Sequence, residues 1–191
     1  HSGAWRLARQ ASALGARLAL LCPSARPVGR AAAAQMDAWL LAGDIADRAA
    51  LEAMVEAAAD HLGGFDLVVF SIDWAPCAGT GRDDDDDEAI AHHLQRLSAS
   101  CRSFSELARL CAAHMPPGAS LVRLDPLHAV GPSLSNELMQ AVQAVLDSIV
   151  RYLRLELEPW GLAVHGVSSA PMAAQLASEP LAPAPSLMHA L

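Results

Sequence analysis

Short apolar runs alternate with stretches of helical spacing along the chain. The runs Arg17–Leu21, Ala38–Ala42, Leu67–Ser71, Ser120–Leu124 and Leu162–Ser168 are short and mostly apolar throughout, as strands buried on both faces should be. Between them Ala4–Leu14 runs into Gly15, a helix stop. Asp47 stands where it caps a helix whose Leu51, Met54, Val55, Ala58 and Leu62 share one side before Gly63-Gly64 ends it. Parallel strands need crossover connections, usually helical, so the alternation predicts an α/β fold: a doubly wound parallel sheet in three αβα layers.

Two longer helices complete the pattern. From Glu88 to Met115 the residues Ile90, Leu94, Leu97, Cys101, Phe104, Ala108, Cys111 and Met115 recur in alternating steps of four and three. That period suits a seam along another helix, or a face laid on the sheet. From Ser135 to Glu158 an apolar side of Leu138, Val142, Val145, Leu146, Ile149, Leu153 and Leu157 is widened by Met139, Val150 and Leu155. A helix so broadly apolar is buried on more than one side, against the sheet and against a partner.

Composition narrows the function. The chain has 191 residues, 53% of them hydrophobic, which suits one sizeable core. Residues 1–169 are expected to form one domain, and the Ala-, Pro- and Ser-rich residues 170–191 a loop-like tail. A formal charge of −8 with scattered Arg argues against a nucleic-acid partner. No apolar run approaches the roughly 20 residues that span a bilayer, and no signal core opens the chain, so a cytoplasmic location is expected. Arg82 and Asp83–Asp87 read as a solvated run that caps the next helix, or as a docking patch for a basic partner. The four cysteines, Cys22, Cys77, Cys101 and Cys111, have no C-x-x-C spacing, and adjacent His92 and His93 would point about 100° apart on a helix. No metal site is expected. Ser133, Ser135, Asp125 and His128 lie close together without a nucleophile elbow or triad spacing.

Several segments resemble the short-chain dehydrogenase/reductase family. Leu14-Gly15-Ala16-Arg17 through Leu21 is similar to the end of its first helix and its second strand. Gly43-Asp44-Ile45-Ala46-Asp47 is similar to its acidic turn, and Phe65-Asp66-Leu67-Val68-Val69 to the approach to its Asn-Asn-Ala-Gly. Leu155 through Val164 resembles its Glu-Leu-x-Pro-x-Gly-Ile-x-Val signature and sets the register of the preceding helix without a gap. The resemblance implies a Rossmann-like fold of the short-chain dehydrogenase type, with NAD chemistry.

In that register the departures fall where the family keeps its chemistry. The resemblance puts the proton-donating Tyr at Met139, a thioether, and the ribose-holding Lys at Gln143, a neutral amide. The catalytic Ser falls near Asp125-Pro126, with Pro126 lacking hydroxyl and N–H, and the relay Asn near Ser100. Asn-Asn-Ala-Gly becomes Phe70-Ser71-Ile72-Asp73, and Ala4 stands where a dinucleotide wants glycine. The family's Pro-Gly after the last of these strands matches Ser169-Ala170. Asp44 stays in place, as an adenine contact or as a loop hydrogen-bonder.

These departures imply a pseudoenzyme with neither catalytic nor cofactor-binding residues of its own. It would be the non-catalytic subunit of a hetero-oligomeric NAD-dependent dehydrogenase, a heterotetramer in which an active homologue holds the NAD. The arrangement is similar to the degenerate subunit of a short-chain dehydrogenase in anaerobic toluene degradation. The family commonly pairs its two long helices into a four-helix bundle, so the expected interface comprises Leu97, Cys101, Phe104, Ala108, Met139, Leu146, Val150 and Leu153. A stand-alone ligand sensor and an atypical NAD(P)-dependent reductase are the alternatives.

Overall fold

In the computed structural model, which describes residues 3–23, 26–71, 86–124, 134–167 and 186–190, six strands form one parallel sheet. They are β1 (Arg17–Cys22), β2 (Trp39–Ala42), β3 (Leu67–Ser71), β4 (Ser120–Leu124), β5 (Ala163–Val167) and β6 (Ser186–Ala190), in the order β2-β1-β6-β3-β4-β5. The helices are α1 (Gly3–Ala13), α2 (Pro27–Gln35), α3 (Arg48–Leu62), α4 (Asp86–Ala112) and α5 (Leu134–Leu157), followed by a 3-10 turn at Glu158–Trp160. The predicted three-layer α/β architecture is the one observed.

Alternation along each strand divides the core. Ala19, Leu21, Val68, Phe70, Leu121 and Val164 are buried beneath α3, α4 and α5. Leu18, Leu20, Val69 and Leu124 pack with Ala4 and Ala8 of α1, Ala33 of α2 and Met36. Each fully buried Leu or Phe contributes about 1.5–3 kcal/mol relative to exposure, so these two clusters are what hold the sheet between its helical layers.

Local chemistry sets the helix ends. The Asp47 carboxylate accepts the Ala49 N–H at 2.9 Å at the start of α3, satisfying one of the unpaired donors of the first turn. Gly63 closes the helix at φ 78°, with its N–H on the Ala59 carbonyl. Asp86, Asp87 and Glu88 open α4, where negative charge suits the helix dipole. Arg48 pairs with Glu106, joining α3 to α4, and Arg109 grips both Glu156 carboxylate oxygens, joining α4 to α5.

Two elements depart from the sequence expectation. Helix α2 carries a Pro at its first turn, which suits a helix start, but it buries only Ala33 and so shows little periodicity. Strand β6 lies inside the stretch expected to be loop-like. It pairs with β1 from Arg17↔Ser186 to Leu21↔Ala190 and with β3 from Leu67↔Leu187 to Phe70↔Ala190. A backbone in that central position satisfies two rows of donors and acceptors at once, and ladder geometry does not require a strong strand pattern in the sequence that fills it.

Candidate functional site

In parallel α/β sheets, ligands sit beyond the carboxyl ends of the strands, and of the positions singled out by the sequence Phe70, Ser71 and Asp44 stand at that end. Phe70 and Ser71 end β3, both buried. The Phe70 ring stacks on Phe104 of α4, with centroids 4.9 Å apart. It belongs to the α3–α5 side of the core rather than to an open cleft. Ala4 is completely buried in the first turns of α1. The Asp44 carboxylate accepts the Ala46 N–H at 2.9 Å, the bond of a self-contained turn. Ile72, Asp73, Asp125, Pro126, His128, Ser133, Ser169 and Ala170 lie outside the described residues, as does Cys77.

Helix α5 carries Met139 and Gln143. At 100° per residue, Met139, Gln143 and Asp147 follow one another in steps of about 40°. Gln143 and Asp147 lie next to the side on which Leu146, Val150 and Leu153 are buried. Gln143 is half-buried and engaged with another group. The Met139 and Ser100 side chains lie outside the described ones, although both positions are helical.

The expected interface requires a correction of face. Phe104, Ala108, Leu146, Val150 and Leu153 are buried within this chain, and Cys101 is half-buried. The Leu97 and Met139 side chains are not among those described. The periodic stripe covers the sheet, because a helix lying on a sheet buries the same spacing as one lying on another helix. The outward side of α5 instead carries Val145, Tyr152 and Leu155, with Trp160 just beyond the helix end, all exposed. On α4 the outward residues Gln95, Ser98, Arg102 and Arg109 are polar.

One charged group escaped the sequence reading. Arg123 of β4 is 1% exposed, and its Nη2 donates to Asp147 Oδ1 of α5 at 2.8 Å. The side chain lies over Gly166 of β5, where a Cβ in place of the glycine hydrogen would stand 3.4 Å from Nη2. The signal was present: an Arg inside a strand otherwise buried on both faces. The guanidinium also acts on Cys101 of α4. Burial pushes the Cys101 thiol pKa up, and the Arg123 charge opposes that rise. Cys111, fully buried without such a neighbour, is held well above the ordinary thiol range by desolvation.

Away from this edge, an open groove of about 590 Å³ lies at the amino ends of the strands, lined by Asp60, Gly64, Asp66, His114 and Pro116 among others. Among the described residues no three His, Cys, Asp or Glu side chains come together as a metal site. Among those same residues, no helix is long and apolar enough to cross a membrane.

All 13 basic residues counted as Lys or Arg are Arg, and the single tyrosine is Tyr152. Tyr152 is 57% exposed, on the side of α5 turned away from the sheet, close enough to Arg109 to help raise the guanidinium pKa after Glu156, the main cause. Four residues beyond it stands Glu156, which Arg109 also holds.

Comparison with known proteins places this architecture. The profile described as enoyl-(acyl carrier protein) reductase matches residues 1–190. The chain is 28% identical over 182 residues to the NADH-dependent enoyl-[acyl-carrier-protein] reductase 2 of Rhizobium meliloti, covering 90% of this chain and 65% of that protein. It is 30% identical over 169 residues to the enoyl-[acyl-carrier-protein] reductase FabI of Salmonella typhimurium, covering 86% of this chain and 64% of that one. The chain thus spans about two thirds of the length of these relatives. Among solved structures, the Anaplasma phagocytophilum enoyl-(acyl-carrier-protein) reductase in complex with NAD superposes with a TM-score of 0.69 at 23% identity, over 87% of this chain and 65% of that one. BdcA of Escherichia coli superposes with a TM-score of 0.63 at 21% identity, over 98% and 89%. The chain belongs to the short-chain dehydrogenase/reductase family, in its enoyl-(acyl carrier protein) reductase-like branch.

Proposed function

We propose that this chain is a non-catalytic member of its family, acting as the partner subunit of an intact NADH-dependent homologue in the cytoplasm. The observation that carries the reading is the absence of lysine from the sequence together with the placement of its one tyrosine. Whatever register is chosen along α5, no Tyr–Lys pair can be formed there. The proton donor and the cation that would hold a ribose are both missing, and Tyr152 faces outward. General acid–base help is worth roughly 10²–10⁴-fold, and here the positioning charge is gone as well.

In this reading the partner docks on the outward side of α5, where Val145, Tyr152 and Leu155 lie within an arc of about 80°. NAD and substrate belong to that partner. The names of the curated relatives favour an enoyl thioester as its substrate class over a toluene-pathway intermediate.

Co-expression with an intact homologue from the same genome, followed by size-exclusion chromatography and NADH oxidation on enoyl thioesters, tests the proposal. The expected result is a stable mixed assembly with activity, and no turnover by this chain alone. A monomer that ignores the homologue would end the idea.

The relatives named as NADH-dependent reductases also favour a second reading, an atypical reductase using groups outside the described residues. Saturable NADH binding with turnover by the isolated full chain would select it.

A further inference from the structure

Four elements converge on one buried guanidinium. Arg123 projects from β4, bonds Asp147 of α5 at 2.8 Å, lies against Gly166 of β5 and acts on the Cys101 thiol of α4. The pair is asymmetric: the arginine side chain is 2% exposed and the aspartate 53%. Removing a guanidinium from water is costly, and an ion pair offsets that cost only when the geometry is good and the remaining donors are met. An apolar residue would fill the same strand position more cheaply. One group the cation reaches is on α5. Asp147 stands one helical turn beyond Gln143, on the same side of the helix.

We infer that Arg123 and Asp147 form an internal clamp tying the middle of α5 to the sheet. Gly166 lies against the pair: a Cβ there would be in ordinary contact with Nη2 at 3.4 Å and with Cζ and Asp147 Oδ1 at 3.7 Å. The clamp concerns the folded chain by itself, so it stands or falls independently of the partner-subunit reading.

Site-resolved hydrogen exchange on the full chain tests the inference, with Asp147→Ala and Arg123→Met compared with the parent protein. Asp147 is half exposed, so its loss removes little buried packing, and its main effect is to take this carboxylate from the buried Arg123 charge. Amides of α5 between residues 143 and 150 should exchange at least about tenfold faster in Asp147→Ala, while those of α3 change by less than about threefold, the pattern of a local opening. Cys101 supplies a second readout. Arg123→Met removes the charge that holds its pKa down, so alkylation of Cys101, followed by peptide mass spectrometry at one mildly alkaline pH, should slow several-fold relative to Asp147→Ala, which keeps the charge. Unchanged α5 exchange in Asp147→Ala would overturn the clamp. Acceleration spread evenly over α3 and α5 would also overturn it, because Asp147 would then matter to the whole fold rather than to one helix. If Arg123→Met fails to fold, the exchange pattern of Asp147→Ala decides alone.

Discussion

The Phe70 ring stacks on the Phe104 ring, with centroids 4.9 Å apart and planes inclined by 29°. Phe70 is the penultimate residue of β3 and the first position of the segment that resembles the family's Asn-Asn-Ala-Gly. The carboxyl end of β3 is thereby anchored to α4. Truncating a buried aromatic costs about 3–5 kcal/mol, and an amide in its place adds an unsatisfied polar group. Phe70→Asn should therefore lower unfolding free energy by about 3 kcal/mol or more in urea titration, and should bring no NADH binding. A neutral result would mean that the stack contributes little.

Introducing the two family residues on α5 should not by itself produce NADH oxidation. In Met139→Tyr/Gln143→Lys the strand-end residues Phe70 and Ser71 and the buried Ala4 remain, so NADH oxidation on an enoyl thioester should stay at background. A gain of roughly 10²–10⁴-fold, the ordinary worth of a positioned acid, would show that only these two side chains are missing.

Gly64 and Gly15 both have positive φ, at 111° and 86°, yet their surroundings differ. A Cβ on Gly64 would lie 2.9 Å from the His114 carbonyl oxygen, whereas one on Gly15 meets nothing within 4 Å. The same His114 carbonyl accepts the Phe65 N–H at 3.0 Å, so it cannot retreat without straining that bond. Gly15→Ala should cost only the left-handed backbone penalty of about 1–2 kcal/mol. Gly64→Ala should cost clearly more, read from the two urea midpoints.

The buried thiol of Cys111 gives a pH dependence. Its folded pKa is raised well above the ordinary thiol value by desolvation, so at alkaline pH the unfolded chain loses a proton that the folded chain keeps. The unfolded state then binds fewer protons, and stability falls as pH rises. The contribution is fully present below the ordinary thiol range and is lost as pH climbs through it toward the raised folded value. Cys111→Ala should flatten this alkaline limb in unfolding curves taken at a series of pH values, even though it lowers stability at neutral pH. An unchanged slope would count against the assignment.

Much of the fold could be read directly from the chain. The five apolar runs became β1 to β5 with boundaries within a residue or so, because a strand buried on both faces must be apolar throughout. The Asp47 cap and the Gly63 stop were equally visible, since each acts within a few residues of itself. Helix α2 was not visible, because only Ala33 of its residues is buried. The face of the long helices was misjudged for a physical reason: helix–helix and helix–sheet packing bury the same periodicity. Phe104 and Leu153 therefore gave no sign that they would meet this chain's own core rather than a partner.

What the amino-acid order determined by itself was the set of local elements and the lack of a Tyr–Lys pair on α5, because propensity, capping and side-chain identity depend on near neighbours or on none. Tertiary structure decided the contacts between distant residues: Arg17 beside Ser186 across the sheet, Arg123 beneath α5 with Asp147 and Gly166, and Tyr152 turned outward. Those contacts follow from which elements share a layer and which strand fills the centre of the sheet. That is settled by burial and by backbone pairing over the whole chain, and no local pattern encodes it.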